Sequence, residues 1–278
     1  MNKILIPTDF SINAKKATDY ALSLFDEKDT EITLVNTFYI PYAAPDVIYS
    51  VNDVSTENAN SLFKVEEERI AAKFPNLKAT IITEFTIGDI VNVVCAKEEK
   101  GECDLIVMGT KGASGLAEVF VGSRTSSMIK SVETPVLVIP AEAALTLPKR
   151  ILFAADENLI DRKLDLDILK RIANKNKSKI DALYIAENEE NKEVIKKFID
   201  YEVNLHFVDI PHELKMKDGE NVEEAINQYV EKNPIDLVAM VTTKGNLFHN
   251  LFHESVTKRV VMHTKMPLLV MHTNLKTD

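Results

Sequence analysis

Four of the eight glycines in this 278-residue chain lie between positions 109 and 122. An apolar segment, residues 104–108, runs directly into the first of them, and Ser123 follows the last. Glycine lets backbone N–H groups approach a ligand closely, and a helix that starts after such a loop favours a bound anion. The spacing Gly109-x2-Gly112-x9-Gly122-Ser123 therefore predicts a phosphate-binding loop. Neither GxxxxGK[ST] nor GxGxxG occurs in the chain.

Two cations accompany this loop. Arg124 falls in the first turn of the helix predicted after Gly122, where a guanidinium can donate two hydrogen bonds to a phosphate and the helix dipole favours an anion. Lys111 lies inside the loop and is a candidate charge partner as well, although a solvated surface role fits it nearly as well.

Composition excludes several classes of protein. The net charge of −10 argues against general nucleic-acid binding, which needs Lys and Arg to neutralise phosphates. No apolar run approaches the roughly 18 residues of a membrane span, and the opening apolar run is too short for a signal peptide. We therefore expect a cytoplasmic protein without a membrane partner. Cys95 and Cys103 form no metal or disulfide motif and are interpreted as buried apolar side chains.

The chain is a duplication of one unit. Three segments of the first half recur in the second: 2–9 in 149–156, 104–108 in 236–240, and 135–139 in 267–271. The first of these segments recurs 147 residues further along the chain, whereas the other two recur only 132 residues further along. The second half is therefore shorter than the first. The missing length falls around residues 39–56, which we interpret as either a lid or a long loop packed on the other half.

Each half is predicted to alternate apolar strands, buried on both faces, with helices. In the first half we expect strands at 2–7, 31–38, 78–84, 103–109 and 135–139, and helices at 12–26, 53–73, 88–100 and 122–132. In the second we expect strands at 149–154, 179–186, 203–209, 235–241 and 267–271, and helices at 160–176, 189–201, 218–232 and 248–263. Ser11 is the expected N-cap of the first helix, and Asp89 is expected in the first turn of the third.

This order predicts an α/β protein with two tandem five-stranded parallel sheets, each with right-handed crossovers. Ligands of such sheets bind beyond the carboxyl ends of the strands, where Asp9, residues 37–38 and Gly109 should meet. The boundary falls at 141–148, which gives domains at 1–142 and 143–278. No Gly/Ser-rich tether separates them, so the halves should pack together.

The glycine spacing, the opening Ile4-Leu5-Ile6-Pro7-Thr8-Asp9 and the closing Pro135-Val136-Leu137-Val138-Ile139-Pro140 together resemble the universal stress protein family, in its tandem two-domain form. The resemblance covers nearly the whole chain. It implies a Rossmann-like fold of the adenine nucleotide alpha hydrolase type. It also implies that the last strands of the two halves pair as an intramolecular pseudo-dimer, and it leaves a homodimer open.

For the site, the resemblance implies that the first half binds an adenine nucleotide, ATP with Mg2+. Met108 would line the adenine pocket and the backbone of Thr37 would touch the base. The opening motif would lie near the nucleoside, and the glycine loop with the following helix start would hold the phosphates. The residues implied are Pro7, Thr8, Asp9, Thr37, Met108, Gly109, Gly112, Gly122, Ser123, Arg124 and Thr125.

The second half lacks the loop glycines. On the ungapped alignment Gly109 becomes Val241 and Gly122 becomes Glu254, while Gly112 and Gly115 become Lys244 and Leu247. A carboxylate at 254 would repel a phosphate, so we expect one nucleotide per chain. Asp156 recurs at the position of Asp9, which also admits a structural role for both.

Three functions remain open from the sequence. The first is a nucleotide-binding stress or signalling protein without efficient catalysis, because no general base or nucleophile can be placed beside the loop. The second is a slow ATPase or a phosphoryl or nucleotidyl transferase. The third is a metal or small-ligand sensor acting through the second half, which holds all six histidines, including His249 and His253 on one predicted helix face.

Overall fold

The computed structural model describes residues 2–38, 45–110, 123–155, 164–186, 192–218, 222–243 and 265–273. Within these ranges, ten strands form one sheet in the order β3-β2-β1-β4-β5-β10-β9-β6-β7-β8, and seven helices connect them. All neighbouring strands are parallel except β5 and β10, which are antiparallel. The predicted fold class, two parallel α/β units in tandem, is confirmed.

The first half follows the predicted order of elements. Its strands are β1 (Asn2–Pro7), β2 (Thr30–Phe38), β3 (Thr80–Ile87), β4 (Leu105–Gly109) and β5 (Val136–Ile139). Its helices are α1 (Ile12–Phe25), α2 (Pro45–Lys73), α3 (Ile90–Glu99) and α4 (Ser123–Ser131). Ser11 caps α1 as expected by accepting from the Ala14 N–H, whereas Asp89 is the N-cap of α3 rather than a residue of its first turn.

The second half repeats the pattern with shifted bounds. Its strands are β6 (Arg150–Ala155), β7 (Lys179–Ala186), β8 (His212–Asp218), β9 (Leu237–Thr243) and β10 (Leu268–Thr273). Its helices are α5 (Asp167–Asn176), α6 (Lys192–His206) and α7 (Val222–Lys232). Of the helix predicted at 160–176, residues 160–163 lie outside the described ranges, Leu164 forms an isolated bridge to Thr273, and helix α5 begins at Asp167. The helix predicted at 248–263 lies outside the described residues.

The strand predicted at 203–209 is wrong. Helix α6 continues to His206, and Ile199, Val203 and Phe207, four residues apart, are all buried on one face. The strand that follows is β8 at 212–218, where charged residues alternate with His212, Leu214 and Met216. This is the outermost strand of the sheet, and such charges on an edge strand prevent pairing with another chain.

Most of the 39–56 segment is helical. Helix α2 begins at Pro45, a residue whose fixed φ suits the first position of a helix, and runs without a break to Lys73. The interpretation of 39–56 as a long loop is therefore wrong from residue 45 onward, while residues 39–44 lie outside the described ranges.

The two halves are joined through their last strands. Leu137 of β5 lies opposite Leu269 of β10, and these two residues are equivalent in the sequence repeat. Val136 and Val138 pair with Val270 and Leu268, again as the repeat requires. A local two-fold axis therefore passes between Leu137 and Leu269 and relates the two half-sheets.

Side chains and the connecting segment reinforce this junction. Glu27, at the end of α1, accepts from Lys175 Nζ at 2.7 Å and from Arg171 Nη2 at 2.6 Å, both on α5. The hydrogen bond from Lys175, together with that from Arg171, lowers the pKa of Glu27. In the connecting segment 141–148, Ala143 is buried and Lys16 donates to the Ala141 carbonyl at 2.6 Å. The halves thus pack together, as expected from the absence of a flexible tether.

Candidate functional site

The carboxyl ends of β2, β1 and β4 lie side by side in the first half. Pro7 pairs with Val35 and Leu5 with Ile106. Continuing these registers past the end of β1 places Asp9 level with Thr37, and Thr8 level with Gly109. The residues named from the sequence on these three strands therefore meet at one edge of the sheet.

The turn after β1 is held in a defined shape. The Thr8 N–H donates to the Val35 carbonyl at 2.8 Å, and the Phe10 N–H donates to Thr8 Oγ1 at 3.1 Å. Asp9 Oδ1 accepts from the Ser11 N–H at 3.1 Å, so this carboxylate stabilises the entry into α1. Phe10 takes a left-handed conformation, with φ of 59°, which is unusual for a residue other than glycine. Its ring packs edge-on against Phe63 of α2, with 5.0 Å between centroids.

Asn36 lies at the candidate site but was not predicted from the sequence. Its side-chain Nδ2 donates to the Thr8 carbonyl at 2.7 Å and so ties β2 to the turn. The signal was present, because Asn36 follows the apolar pair Leu34-Val35 and stands immediately before Thr37. A buried strand admits such a side chain only where it has a partner.

The packing of α1 requires a glycine at position 109, independently of the phosphate-binding loop predicted from the sequence. A Cβ built at this position would lie 2.7 Å from Asn13 Nδ2 and 3.1 Å from the Asn13 backbone oxygen. Asn13 belongs to the first turn of α1 and is buried. The missing side chain therefore lets the start of α1 approach the end of β4, which keeps this edge of the sheet compact.

Helix α4 is fastened to the same edge. The Thr125 hydroxyl donates to the Gly109 carbonyl at 3.1 Å, and its side chain is buried. This bond ties the first turn of α4 to the end of β4. Arg124, the neighbouring residue, is exposed and stands in the first turn. Ser123 is the first residue of α4, whereas Lys111, Gly112 and Gly122 lie outside the described residues.

The other end of α4 is held by the second half. His272 of β10 is buried, and its Nε2 donates to the carbonyl of Ile129 at 2.9 Å. Burial lowers the pKa of His272, although Glu98 and Glu133 nearby act in the opposite direction. The helix that follows the glycine loop is thus anchored across the junction between the halves.

Apolar side chains are exposed beside the site. Phe38 and Ile87, paired at the ends of β2 and β3, are 44 % and 37 % exposed. Ile12, the first residue of α1, is 88 % exposed. Phe38 and Ile87 therefore give the ends of β2 and β3 an apolar surface beside Thr37, and Ile12 is an exposed apolar side chain at the start of α1.

The second half is built differently at the corresponding edge. Strand β4 ends at Gly109, but β9 continues through Val241 to Thr243, pairing Val241 with Met271 and Thr242 with His272. The residue equivalent to His272 in the first half is Pro140, which has no N–H to donate to such a ladder. In the second half, extended strand therefore continues past the position equivalent to Gly109, where β4 ends in the first half.

The described ranges contain no group of three His, Cys, Asp or Glu side chains arranged to hold a metal ion. His249, His253 and Glu254, and likewise Asp156, fall outside those ranges. None of the described helices is both long and apolar enough to cross a membrane.

Known proteins resemble both halves of the chain. Residues 1–140 and 148–272 each match the model of the universal stress protein family. Universal stress protein Slr1230 of Synechocystis is 25 % identical over 97 % of this chain and 99 % of its own length. Universal stress protein MJ0531 of Methanocaldococcus jannaschii is 33 % identical over 49 % of this chain and 81 % of its own length.

A solved structure shares the fold of the whole chain. A universal stress protein from Archaeoglobus fulgidus superposes with a TM-score of 0.73 at 18 % identity, over 97 % of both chains. Two shorter universal stress proteins, each matching 50 % of this chain, have been solved with adenine nucleotides, one in complex with cAMP and one from Arabidopsis thaliana with AMP bound.

Proposed function

Because the chain belongs to the universal stress protein family, and because the first half alone keeps the nucleotide pattern of that family, we propose that residues 1–142 bind one ATP with Mg2+ and that residues 143–278 form a partner domain without a nucleotide. The cellular role that fits is a stress-response or signalling protein in which the nucleotide is the ligand.

The observation that carries the proposal is the asymmetry of the two sheet edges. In the first half, β4 stops at a glycine and a helix with Arg124 in its first turn follows the loop. In the second, β9 runs on through Val241 and the loop glycines are absent. A phosphate chain needs bare backbone N–H groups and positive charge, and only the first half has the residues for both.

Each group of residues would contact a different part of the nucleotide. The exposed apolar surface of Phe38, Ile87 and Ile12 offers packing for a base beside the Thr37 backbone. The glycine loop and Ser123 would hold the phosphates, with Arg124 neutralising part of their charge. Thr125 would act mainly by closing the loop, since its hydroxyl proton is donated to Gly109.

The test is a calorimetric titration of Mg-ATP into the wild type and the Gly122→Glu variant, which copies the second half into the first. We expect the variant to bind at least about a hundredfold more weakly, because a carboxylate would meet the phosphates. The matched control is Gly245→Glu, in the corresponding stretch of the second half, which should bind like the wild type. Equal binding by Gly122→Glu would overturn the assignment of the site.

A further inference from the structure

Helix α6 exposes large apolar side chains where a surface helix ordinarily carries polar ones. Five such residues lie on the helix or within two residues of its end: Val194 at 53 % exposure, Phe198 at 53 %, Tyr201 at 64 %, Leu205 at 58 % and Val208 at 75 %. They succeed one another at separations of four, three, four and three residues. We call this set the α6 seam.

The seam is separate from the core of the domain. The same helix buries Ile199 and Val203, with Phe207 just beyond it, against the sheet. At about 100° of rotation per residue, the seam points away from that buried face. Among the residues that the structure describes, the packing of the domain therefore leaves the seam uncovered.

The spacing indicates what kind of surface would cover it. A helix that packs on a sheet carries a broad apolar stripe, whereas alternating separations of three and four residues form the narrow seam of two packed helices. The partner that fits is consequently another helix with the same repeat.

The flanking charges indicate that this helix is a second α6. In a parallel pair of helices, the residue just before the first of two seam positions that are three residues apart, such as Phe198 and Tyr201, faces the residue five places further along on the partner. Lys197, just before Phe198, would thus face Glu202 of the second copy. A two-fold axis repeats this pair, so each helix supplies both charges.

From these observations we propose that the chain forms a homodimer through the α6 seam, with the two helices parallel about a two-fold axis. Helix α6 connects β7 and β8, the two outermost strands of the second half. The dimer would therefore leave the carboxyl edge of β1, β2 and β4 open, at the other end of the sheet.

Sedimentation equilibrium of the full chain, over about a hundredfold range of concentration, tests the proposal. The wild type should be a dimer at the upper end, and Phe198→Glu should weaken association by at least roughly a hundredfold. Lys196→Glu, an exposed residue off the seam of the same helix, should associate like the wild type. Thermal melts check that each variant folds. A monomeric wild type, or a dimer indifferent to Phe198→Glu, would refute the proposal.

A charge exchange tests the parallel arrangement. Each exposed ion pair alters an equilibrium by about twofold, and Lys197→Glu would remove two pairs and create two repulsions, weakening the dimer by about tenfold. Glu202→Lys should do the same. The double variant Lys197→Glu/Glu202→Lys should return to within about threefold of the wild type. Failure of this rescue would show that these two residues do not face each other, and would overturn the parallel pairing.

Discussion

At the level of single residues, the site depends on close approaches that tolerate little change. Gly109 is the clearest case, because the absence of a side chain there lets the start of α1 pack against the end of β4. The sequence alone suggested one role for Gly109, which is to let the backbone approach a ligand closely. The contact with Asn13 could not be inferred, because the residues are 96 positions apart and nothing in their types marks them as neighbours.

We predict that Gly109→Ala destabilises the fold even without a ligand. The added Cβ would meet Asn13 Nδ2 at 2.7 Å and would force α1 or β4 to shift, at a cost of about 1 to 3 kcal/mol. Urea denaturation measures this loss. The double variant Asn13→Ala/Gly109→Ala should lose less stability than the sum of the two single changes, because the clashing side chain is gone. Strict additivity would contradict the contact.

Arg124 permits a test at the residue level that leaves the fold intact. Its side chain is exposed, so Arg124→Gln should leave stability within about 0.5 kcal/mol of the wild type. Loss of a charge-assisted hydrogen bond to phosphate should weaken ATP binding by about tenfold or more. Adenosine, which has no phosphate, is the control ligand and should bind both proteins alike. An equal loss for ATP and adenosine would place Arg124 away from the phosphates.

At the level of elements, the order of strands and helices in the first half was predictable because most of the strands there, including β1, β4 and β5, contain apolar runs. The error at 203–209 has a specific cause. Val203, Leu205 and Phe207 alternate with polar residues, which is the pattern of a half-buried strand. The same residues also have helical spacing with Ile199, and that second pattern is the one the fold uses. The real edge strand β8 is so charged that its pattern resembles a surface loop.

The strand predicted at 203–209 and the observed helix α6 make opposite predictions for the burial of Leu205. A strand would bury Val203, Leu205 and Phe207 together, whereas α6 buries Val203 and leaves Leu205 58 % exposed. We expect Val203→Ala to cost about 1 to 3 kcal/mol and Leu205→Ala less than about 0.5 kcal/mol. Urea unfolding at a concentration that keeps the chain monomeric would measure both. Comparable losses would indicate that the helix assignment is wrong.

At the level of the whole molecule, the duplication produces one continuous sheet with two unequal edges. The resemblance to the family implied that the last strands pair, and the repeat makes Leu137 and Leu269 equivalent, so the junction was predictable in outline. The anchoring of α4 by His272 was not, because the repeat places Pro140 at the equivalent position and offers no precedent for it.

This histidine should make the stability of the chain depend on pH. Burial lowers the pKa of His272, so below its ordinary value of about 6.5 the unfolded chain takes up a proton that the folded chain resists. Stability contributed by neutral His272 is therefore present above that pH and falls as the pH drops, by up to about 1.4 kcal/mol per pH unit.

Urea unfolding at several pH values, for the wild type and His272→Gln, isolates this contribution. Glutamine can still donate to the Ile129 carbonyl but does not titrate, so the loss between neutral pH and about pH 5.5 should be smaller in the variant. His206, whose pKa is also lowered by burial, remains in both proteins and cancels in the comparison. Identical pH dependence would rule out His272 as its source.

The central claim is that two copies of one fold share a chain and only the first binds a nucleotide. Equilibrium dialysis with labelled Mg-ATP at saturating concentration measures this directly as a stoichiometry. We expect about one ATP per chain, since the second half lacks the loop glycines and its strand β9 continues through Val241. Two ATP per chain, or none, would contradict it.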